Sequence, residues 1–369
     1  MIKLFSKDQF NLSNRPGYIN TCVVLITLTV VGGVAYLGKD IIVPFIFAVL
    51  IAMLLNPLLN LFRRKKIPKV LAILLAIFVA FIVIAILVIA ISLQISVLSE
   101  SFPDLEKKFR SLVNEGMNYL NNHYNISEVK VNKWLDEKQK ELLNKSGPAI
   151  GASLAQVGGA ILNLVILPVY VFLILWYKSL IVEFIHKVFK ESQSQKIGQI
   201  LSESQRVIQT YLTGLLIEVT IVACLNITGL LIIGIDYALL FGLLGAILNL
   251  IPYIGIIIAA LLPIGFALLL QSPQHALFVV VLYAIVQFID NNIIVPKVVA
   301  SKVRLNALVS ILAVLIGGTL WGISGMFLSI PLAAIAKVIF DKIEELEPWA
   351  YLMGEDNPDD EKMYNKLLK

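Results

Sequence analysis

Two long apolar stretches near the carboxyl terminus most constrain how this chain folds. They run from Tyr237 to Leu270 and from Leu305 to Phe340, and each is interrupted near its middle by glycine or proline. A straight helix of that length would extend roughly 50 Å, whereas the hydrocarbon core of a bilayer is about 30 Å thick. We therefore expect each stretch to fold back on itself as a re-entrant helical hairpin.

The composition of the chain is that of an integral membrane protein. Hydrophobic residues make up 58% of the 369 residues and charged residues 15%, whereas charged residues are about a quarter of a soluble domain. Six further apolar runs are long enough to cross a bilayer. They are Ile19–Leu37, Ile41–Phe62, Val70–Leu98, Ser153–Tyr177, Val207–Ile233 and Ala276–Val295. The sequence thus predicts an all-α polytopic membrane protein with about six full transmembrane helices and two re-entrant hairpins.

The basic loops predict the orientation. The Arg63–Lys66 loop joins the second and third spans, and basic loops of this kind face the cytoplasm. The loop that contains Lys297, Lys302 and Arg304 also faces the cytoplasm only if the stretch from Tyr237 to Leu270 is a hairpin. Each hairpin then follows a full span, and the two units have opposite topology, which is an inverted repeat typical of secondary transporters.

These patterns divide the chain into five predicted regions. The insert after the third span carries eight acidic and eight basic residues and helical apolar spacing, which favours a small external domain. The regions are an N-terminal transmembrane scaffold of three spans (1–98), an external helical insert (99–148), a fourth span with a cytoplasmic amphipathic segment over Leu180–Arg206 (149–206), a transport core with two hairpins (207–340) and an acidic cytoplasmic tail (341–369).

Two carboxylates fall clearly within predicted membrane segments. A charge inside the bilayer is costly, so such residues usually face a cavity or a partner. Asp290 lies in a polar patch with Gln287 and Asn291, and we interpret it as a transport or ion-coupling residue, with a hydrogen-bonded helix brace as the alternative. Glu218 is interpreted as a structural or pore-lining residue, with Thr220 or Asn226 as its hydrogen-bond partner.

The interruptions supply the other candidate residues. The first includes Asn249, Pro252, Tyr253 and Gly255, where a broken helix exposes carbonyl groups and a helix amino terminus that can hold a cation or polar solute. The alternative is a tight turn that only joins two half-helices. The second interruption includes Gly322 and Gly325, which either line the same route or permit close helix packing.

Several functional classes are disfavoured. The basic residues lie mostly beside apolar runs, which is typical of orientation signals and argues against nucleic-acid binding. The sequence contains neither a phosphate-binding glycine-lysine loop nor a clustered serine, histidine and acid, so we predict no enzyme activity. Its three histidines and two cysteines are widely separated, and we predict neither a cofactor nor a metal site.

The ordered motifs resemble the autoinducer-2 exporter family of bacterial membrane proteins. The resemblance rests on the run from Asn249 to Gly255 and on a series of later positions. These are Pro263, Gln287-x-x-Asp290, Pro296, Gly317-Gly318, Gly322, Gly325 and Pro331. The resemblance implies export of a small polar molecule, with autoinducer-2 as the namesake, and some relatives are associated with sodium/proton antiport.

Residues and resemblance together predict a secondary transporter. We expect it to export a small, autoinducer-2-like polar solute across the bacterial inner membrane, as a homo-oligomer with both termini in the cytoplasm. Ion or proton coupling would run through Asp290, and the bends at Pro252 and Gly325 would enclose the site while the hairpins move against the amino-terminal spans. The alternatives are a sodium/proton antiporter, a passive pore and a membrane scaffold.

Overall fold

The computed structural model describes residues 17–100, 103, 105, 107–115, 165–189, 191–251, 254–299 and 305–354. This part of the chain is helical and contains no strand. Its long helices carry many exposed, large apolar side chains, as expected for surfaces that face lipid. The chain is an all-α polytopic membrane protein, as the sequence predicts.

The first four helices form an amino-terminal bundle. They are α1 (Gly17–Leu37), α2 (Lys39–Arg64), α3 (Lys69–Glu100) and α4 (Val165–Trp176). Small side chains such as Ala48, Ala52 and Ala72 are fully or almost fully buried where α2, α3 and α4 meet. Small residues let helix backbones approach closely when lipid offers no hydrophobic driving force. The first three helices belong to the region predicted as a scaffold (1–98), and α4 belongs to the predicted fourth span, whose start lies outside the described residues.

The predicted external insert is described only in part. Residues 107–115 are helical, as the spacing predicts, and the remainder of 99–148 lies largely outside the described residues. The predicted acidic tail is likewise described only to Gly354. The short helix α11 (Glu347–Met353) precedes that point, and Asn306 donates its side-chain amide to the Leu352 carbonyl at 2.6 Å.

The predicted amphipathic segment over Leu180–Arg206 is not one element. The chain bends by 63° between α4 and α5 (Lys178–Val188), and a break follows before α6 begins at Glu191. The 43-residue helix α6 (Glu191–Ile233) then continues without interruption through Arg206 into the next span. At about 1.5 Å per residue it is roughly 65 Å long, so it extends well beyond the hydrocarbon core.

The first interrupted stretch folds back on itself. It comprises α7 (Ala238–Asn249), α8 (Ile254–Phe266) and a short π-helix (Ala267–Gln271). Phe241 of α7 lies 5.4 Å from Phe266 of α8 between ring centroids, and Gly255 packs directly on the Leu248 carbonyl. Residues of α7 and α8 near the break are in contact with each other, and so are residues of the two helices far from the break. The two helices are therefore antiparallel, and we call this pair the first hairpin.

The second interrupted stretch, α10 (Ala307–Phe340), also folds back, because it consists of two helices that meet at a kink. Gly322 has φ 62° and ψ −141°, a non-helical conformation that favours glycine. The backbones of Gly317 and Gly325 touch, and Gly318 lies against Met326. In a continuous helix residues eight apart would lie about 12 Å apart. We call the two halves of α10 the second hairpin.

A long helix precedes each hairpin. Helix α6 leads into the first hairpin, and α9 (Pro273–Ile289), continued by a π-helix (Asp290–Val299), leads towards the second. A buried cluster joins the end of α6 to α7, α8 and α9, and another joins α2, α6 and α10. The first hairpin is thus held by the helices on either side of it in sequence.

Candidate functional site

Asn249 occupies the last position of α7, immediately before the break in the first hairpin. Its side-chain amide nitrogen Nδ2 donates to Glu218 Oε1 of α6 at 3.2 Å and to Asp290 Oδ2 at 3.0 Å. A primary amide has two hydrogens to donate, one for each acceptor. One side chain at the hairpin tip therefore links the two membrane carboxylates, and we call these three residues the carboxylate cluster.

Both carboxylates are withdrawn from solvent. Asp290 is 2% exposed and Glu218 is 5% exposed. The second oxygen of Asp290, Oδ1, is buried without a hydrogen-bond partner. Two negative charges so close together in a low-dielectric setting repel strongly, and a buried unpaired acceptor is costly. Protonation of one carboxyl group or binding of a cation would relieve this repulsion.

The backbone is irregular where the carboxylate cluster forms. Asp290 begins a ten-residue π-helix, and Pro296 lies within it. Proline has no amide hydrogen and clashes with the preceding turn, which favours a wider local helix. Segments of π-helix occur frequently at functional sites because they redirect side chains. Asp290, the residue that contacts Asn249, is the first residue of this irregular helix.

The other predicted site residues differ in how close they lie to the carboxylate cluster. Gly255 lies beside the carboxylate cluster, where its missing side chain lets the hairpin close on Leu248. Gln287 Nε2 donates to the side-chain oxygen Oδ1 of Asn291 at 2.9 Å, and this pair lies on a more exposed side of its helix than Asp290. Pro252 and Tyr253 lie outside the described residues.

Gly322 and Gly325 do not join the carboxylate cluster in the described structure. Gly325 packs on Gly317, and Trp321 donates its indole N–H to the Ala35 carbonyl of α1 at 2.9 Å. The bend of the second hairpin lies in an open cleft of about 530 Å³ against α1 and α2. The cleft is lined by Tyr36, Lys39, Asp40, Val43, Pro44, Gly318, Thr319, Leu320, Trp321, Gly322 and Ser324. The bend of the second hairpin therefore lies apart from the carboxylate cluster, and Pro252, at the other predicted bend, lies outside the described residues.

The predicted partners of Glu218 also differ from those in the structure. Thr220 bonds back to the Leu216 carbonyl of its own helix at 2.8 Å, and the Glu218 partner is Asn249. Asn226 lies further along α6, is 2% exposed, and its Oδ1 has no partner. Sequence spacing within α6 favoured the nearby residues, whereas the actual partner comes from a different helix.

The comparisons with known proteins identify the family. A family model described as AI-2E family transporter matches residues 25–345. The chain belongs to the AI-2E transporter family. This AI-2E family member is therefore a membrane transport protein, and the family resemblance predicted from its motifs is confirmed.

Individual relatives of this AI-2E family chain support the same conclusion. The putative transport protein YueF of Bacillus subtilis is 28% identical over 82% of this chain and 84% of its own length. The AI-2 transport protein TqsA of Escherichia coli is 27% identical over 87% of this chain and 91% of its own length. The putative transport protein YhhT of Escherichia coli is 27% identical over 90% of this chain and 94% of its own length. The similarity thus extends over most of each protein.

Proposed function

We propose that this transporter is a secondary carrier that exports a small polar solute, coupled to movement of protons or another monovalent cation. The observation that carries the proposal is the carboxylate cluster, in which Asn249 joins Glu218 and Asp290 at the tip of a broken membrane helix. Buried ionisable residues inside a membrane mark ion pathways. Paired carboxylates that need a proton or cation for stability are suited to loading and releasing one in each transport cycle.

Coupling follows from the position of the carboxylate cluster between three elements. Glu218 belongs to α6, Asn249 to the first hairpin, and Asp290 to the π-helix that follows α9. Loading with a cation would reduce the repulsion between the carboxylates and favour the packed hairpin, and unloading would favour its displacement. A ligand shifts a conformational equilibrium only by its differential affinity for the two states. Here the cation would bind the packed state more tightly than the displaced state, because the two carboxylates are closer together in the packed state.

The lengths of the helices support the proposed re-entrant geometry. Helix α7 has 12 residues, or roughly 18 Å, which is shorter than the hydrocarbon core. Half of the 34-residue α10 is roughly 25 Å long. We therefore propose that both hairpins enter the bacterial inner membrane and leave on the same side. With the basic loops inside, both termini face the cytoplasm, and the two helix–hairpin units form an inverted repeat.

The open cleft at the second hairpin is the proposed solute site. It offers a cation at Lys39, a carboxylate at Asp40, and the hydroxyl groups of Thr319 and Ser324, beside the Trp321 ring. Such a mixture of donors, acceptors and an aromatic surface suits a small polar molecule with several hydroxyl groups. The relative TqsA is named for transport of AI-2, which supports a solute of that class. The cleft lies between hairpin and scaffold, where relative movement would open and close it.

Asp290→Asn in proteoliposomes tests the proposal. The variant keeps the shape and a hydrogen-bonding group but cannot lose a proton. We expect coupled flux, measured as efflux of labelled autoinducer-2 and as movement of protons, to be abolished. Asn292→Asp, at an exposed position on the same π-helix, is the matched control and should transport normally. Unchanged flux in a folded Asp290→Asn variant would remove the carboxylate cluster from the mechanism.

A sodium/proton antiporter is the second candidate. The observation that favours it is the separation of the carboxylate cluster from the solute-sized cleft. Exchange of two cations requires only the carboxylate cluster. Proteoliposomes that contain a pH-sensitive dye and no organic solute distinguish the two functions. Sodium-driven proton movement without solute supports antiport, whereas a strict requirement for solute supports the exporter. Flux without saturation or coupling would indicate a passive pore.

A further inference from the structure

An open apolar groove lies between α3 and α4 on the surface of the amino-terminal bundle. Its volume is about 430 Å³, and it is lined by Leu74, Leu75, Ile77, Phe78, Phe81 and Pro168. Phe78 is 59% exposed and Phe81 is 50% exposed. These side chains therefore offer a large apolar contact surface that faces away from the bundle, and we call it the α3–α4 groove.

The α3–α4 groove lies at the depth of the acyl chains of one lipid leaflet. Leu74 and Phe81 follow Lys69 by five and twelve residues on α3, which places them roughly 8 and 18 Å along that helix. Pro168 precedes Trp176 on α4 by eight residues, or roughly 12 Å. One leaflet contributes about 15 Å to the hydrocarbon core. The groove therefore begins about one helical turn and a half below Lys69 and ends near the middle of the bilayer.

Two lysines are held at the end of the bundle from which the groove descends. Lys69 Nζ donates to the Trp176 carbonyl at 2.7 Å and lies 5.1 Å from the centroid of the Trp176 ring. An ammonium group carries three hydrogens, so two remain for a further acceptor. Lys178 begins α5, two residues after Trp176, and its Nζ donates to Asn56 Oδ1 of α2 at 3.1 Å. Both ammonium groups thus lie at the bend between α4 and α5.

The loop before Lys69 adds more positive charge at the same end. It contains four exposed basic residues in succession, Arg63–Lys66. In the part of the chain that the structure describes, no ion pair joins any of these residues or Lys69 to a carboxylate. Basic clusters next to the ends of transmembrane helices attract anionic lipid headgroups. This end of the bundle therefore carries an uncompensated positive charge that complements an anionic lipid.

Helix α5 indicates that the same end lies at the membrane surface. The chain bends by 63° between α4 and α5, so α5 does not continue along the axis of the span. Leu180, Phe184 and Val188 follow one another at four-residue spacing and are 60 to 64% exposed. His186 lies 3.0 Å from Ser194 Oγ of α6. A helix with one exposed apolar side is typical of the interface between headgroups and acyl chains.

We propose that the α3–α4 groove binds an acyl chain of an anionic glycerophospholipid, whose phosphate accepts hydrogen bonds from Lys69 and Lys178. The groove supplies the apolar contacts, and the two lysines supply the charge at the level of the headgroup. A zwitterionic lipid fits the groove equally well but carries no net negative charge to match the lysines and the Arg63–Lys66 loop. The proposal is independent of the proposed function, because it concerns the outer surface of α3 and α4 and not the carboxylate cluster.

Native mass spectrometry of the detergent-solubilised full chain, titrated with phosphatidylglycerol or with phosphatidylcholine, tests the proposal. We expect phosphatidylglycerol to bind more tightly than phosphatidylcholine. Lys69→Gln and Lys178→Gln each remove a charge and keep an amide donor. Each should weaken phosphatidylglycerol binding about fivefold, the contribution of one basic residue near an anionic lipid, and leave phosphatidylcholine binding unchanged. Lys69→Arg keeps the charge and should retain the preference.

Lys187→Gln is the matched control for the charge variants. Lys187 lies on α5 and is exposed, and its Nζ is already paired with Glu183 Oε1 at 2.7 Å. Its replacement removes one formal charge at the same end of the bundle but should leave the affinity for phosphatidylglycerol unchanged. Equal affinities for the two lipids, or parental affinity in a folded variant that carries both Lys69→Gln and Lys178→Gln, would refute the proposed headgroup contacts.

Leu74→Trp tests the groove itself. The larger side chain fills the space, and binding of phosphatidylglycerol should weaken about tenfold or more, because lost contact with two methylene groups already has that effect. Ile89→Trp is the matched control, since Ile89 is 58% exposed on α3 beyond the groove. Thermal unfolding establishes which variants are folded. Parental lipid binding in folded Leu74→Trp would overturn the proposal, as would a change of oligomeric mass without loss of lipid, which would assign the groove to a second copy of the chain.

Discussion

Replacement of Asn249 by leucine tests the central contact of the carboxylate cluster. Leucine has nearly the same size as asparagine but cannot donate hydrogen bonds. The substitution would leave Glu218 Oε1 and Asp290 Oδ2 without the amide that now lies 3.2 and 3.0 Å away. Asp290 would then lose its described hydrogen-bond partner while still enclosed between α6 and the first hairpin.

The expected loss in the free energy of unfolding follows from these two hydrogen bonds. A hydrogen bond to a neutral group contributes about 1 kcal/mol, and one to an ionised group about 2 kcal/mol. Loss of both therefore lowers the free energy of unfolding by about 2 kcal/mol if the carboxyl groups are protonated, and by about 4 kcal/mol if they are ionised. The tip of the first hairpin should loosen first, because Asn249 joins it to both neighbouring helices.

Unfolding by sodium dodecyl sulfate in mixed micelles, followed by tryptophan fluorescence, measures this difference. Asn292→Leu is the matched control. Its amide donates to the Phe288 carbonyl of its own helix at 2.8 Å and the residue is exposed, so its loss should cost less than about 1 kcal/mol. Equal stabilities of the two leucine variants would refute the conclusion that Asn249 holds the carboxylates together.

Two further predictions concern the hairpins. Gly322→Ala forces a side chain into backbone at φ 62° and should cost about 1–3 kcal/mol in the same unfolding assay, whereas Gly265→Ala should cost nothing measurable; equal stabilities would contradict the strained bend. Single cysteines at the exposed positions Gln274 and Glu345 should react with an impermeant maleimide from outside and from inside the cell, respectively. Labelling of both from one side would contradict the proposed topology.

The sequence indicates where the two long apolar stretches are interrupted, because length and hydrophobicity are local properties. An apolar stretch longer than the bilayer is thick, with glycine and proline at its centre, has few ways to keep its backbone hydrogen-bonded in lipid. The helices fold back at Gly255 and at Gly322, and their re-entry into the bilayer stays a prediction. The π-helix that begins at Asp290 was not predicted, because its formation depends on Pro296 and on how the neighbouring helices pack around it.

The contacts between site residues were predicted less well than the residues themselves. Asp290, Glu218 and Asn249 were each recognised, because polar residues within apolar runs are easily seen. Their mutual contact was not, since it joins residues 31 and 41 positions apart. Nothing in the spacing of Asn226 and Tyr283 indicates that both lie against Gly245.

The sequence by itself determined that this chain enters a membrane, where its helices break, and which polar residues are withdrawn from water. These properties follow from hydrophobicity, chain length and the conformational limits of glycine and proline. Only the tertiary structure decided that Asn249 joins the two carboxylates and that the second bend lies against α1 and α2. The physical reason is that contacts between helices depend on how their surfaces pack in three dimensions, and helical periodicity fixes only which residues share a face.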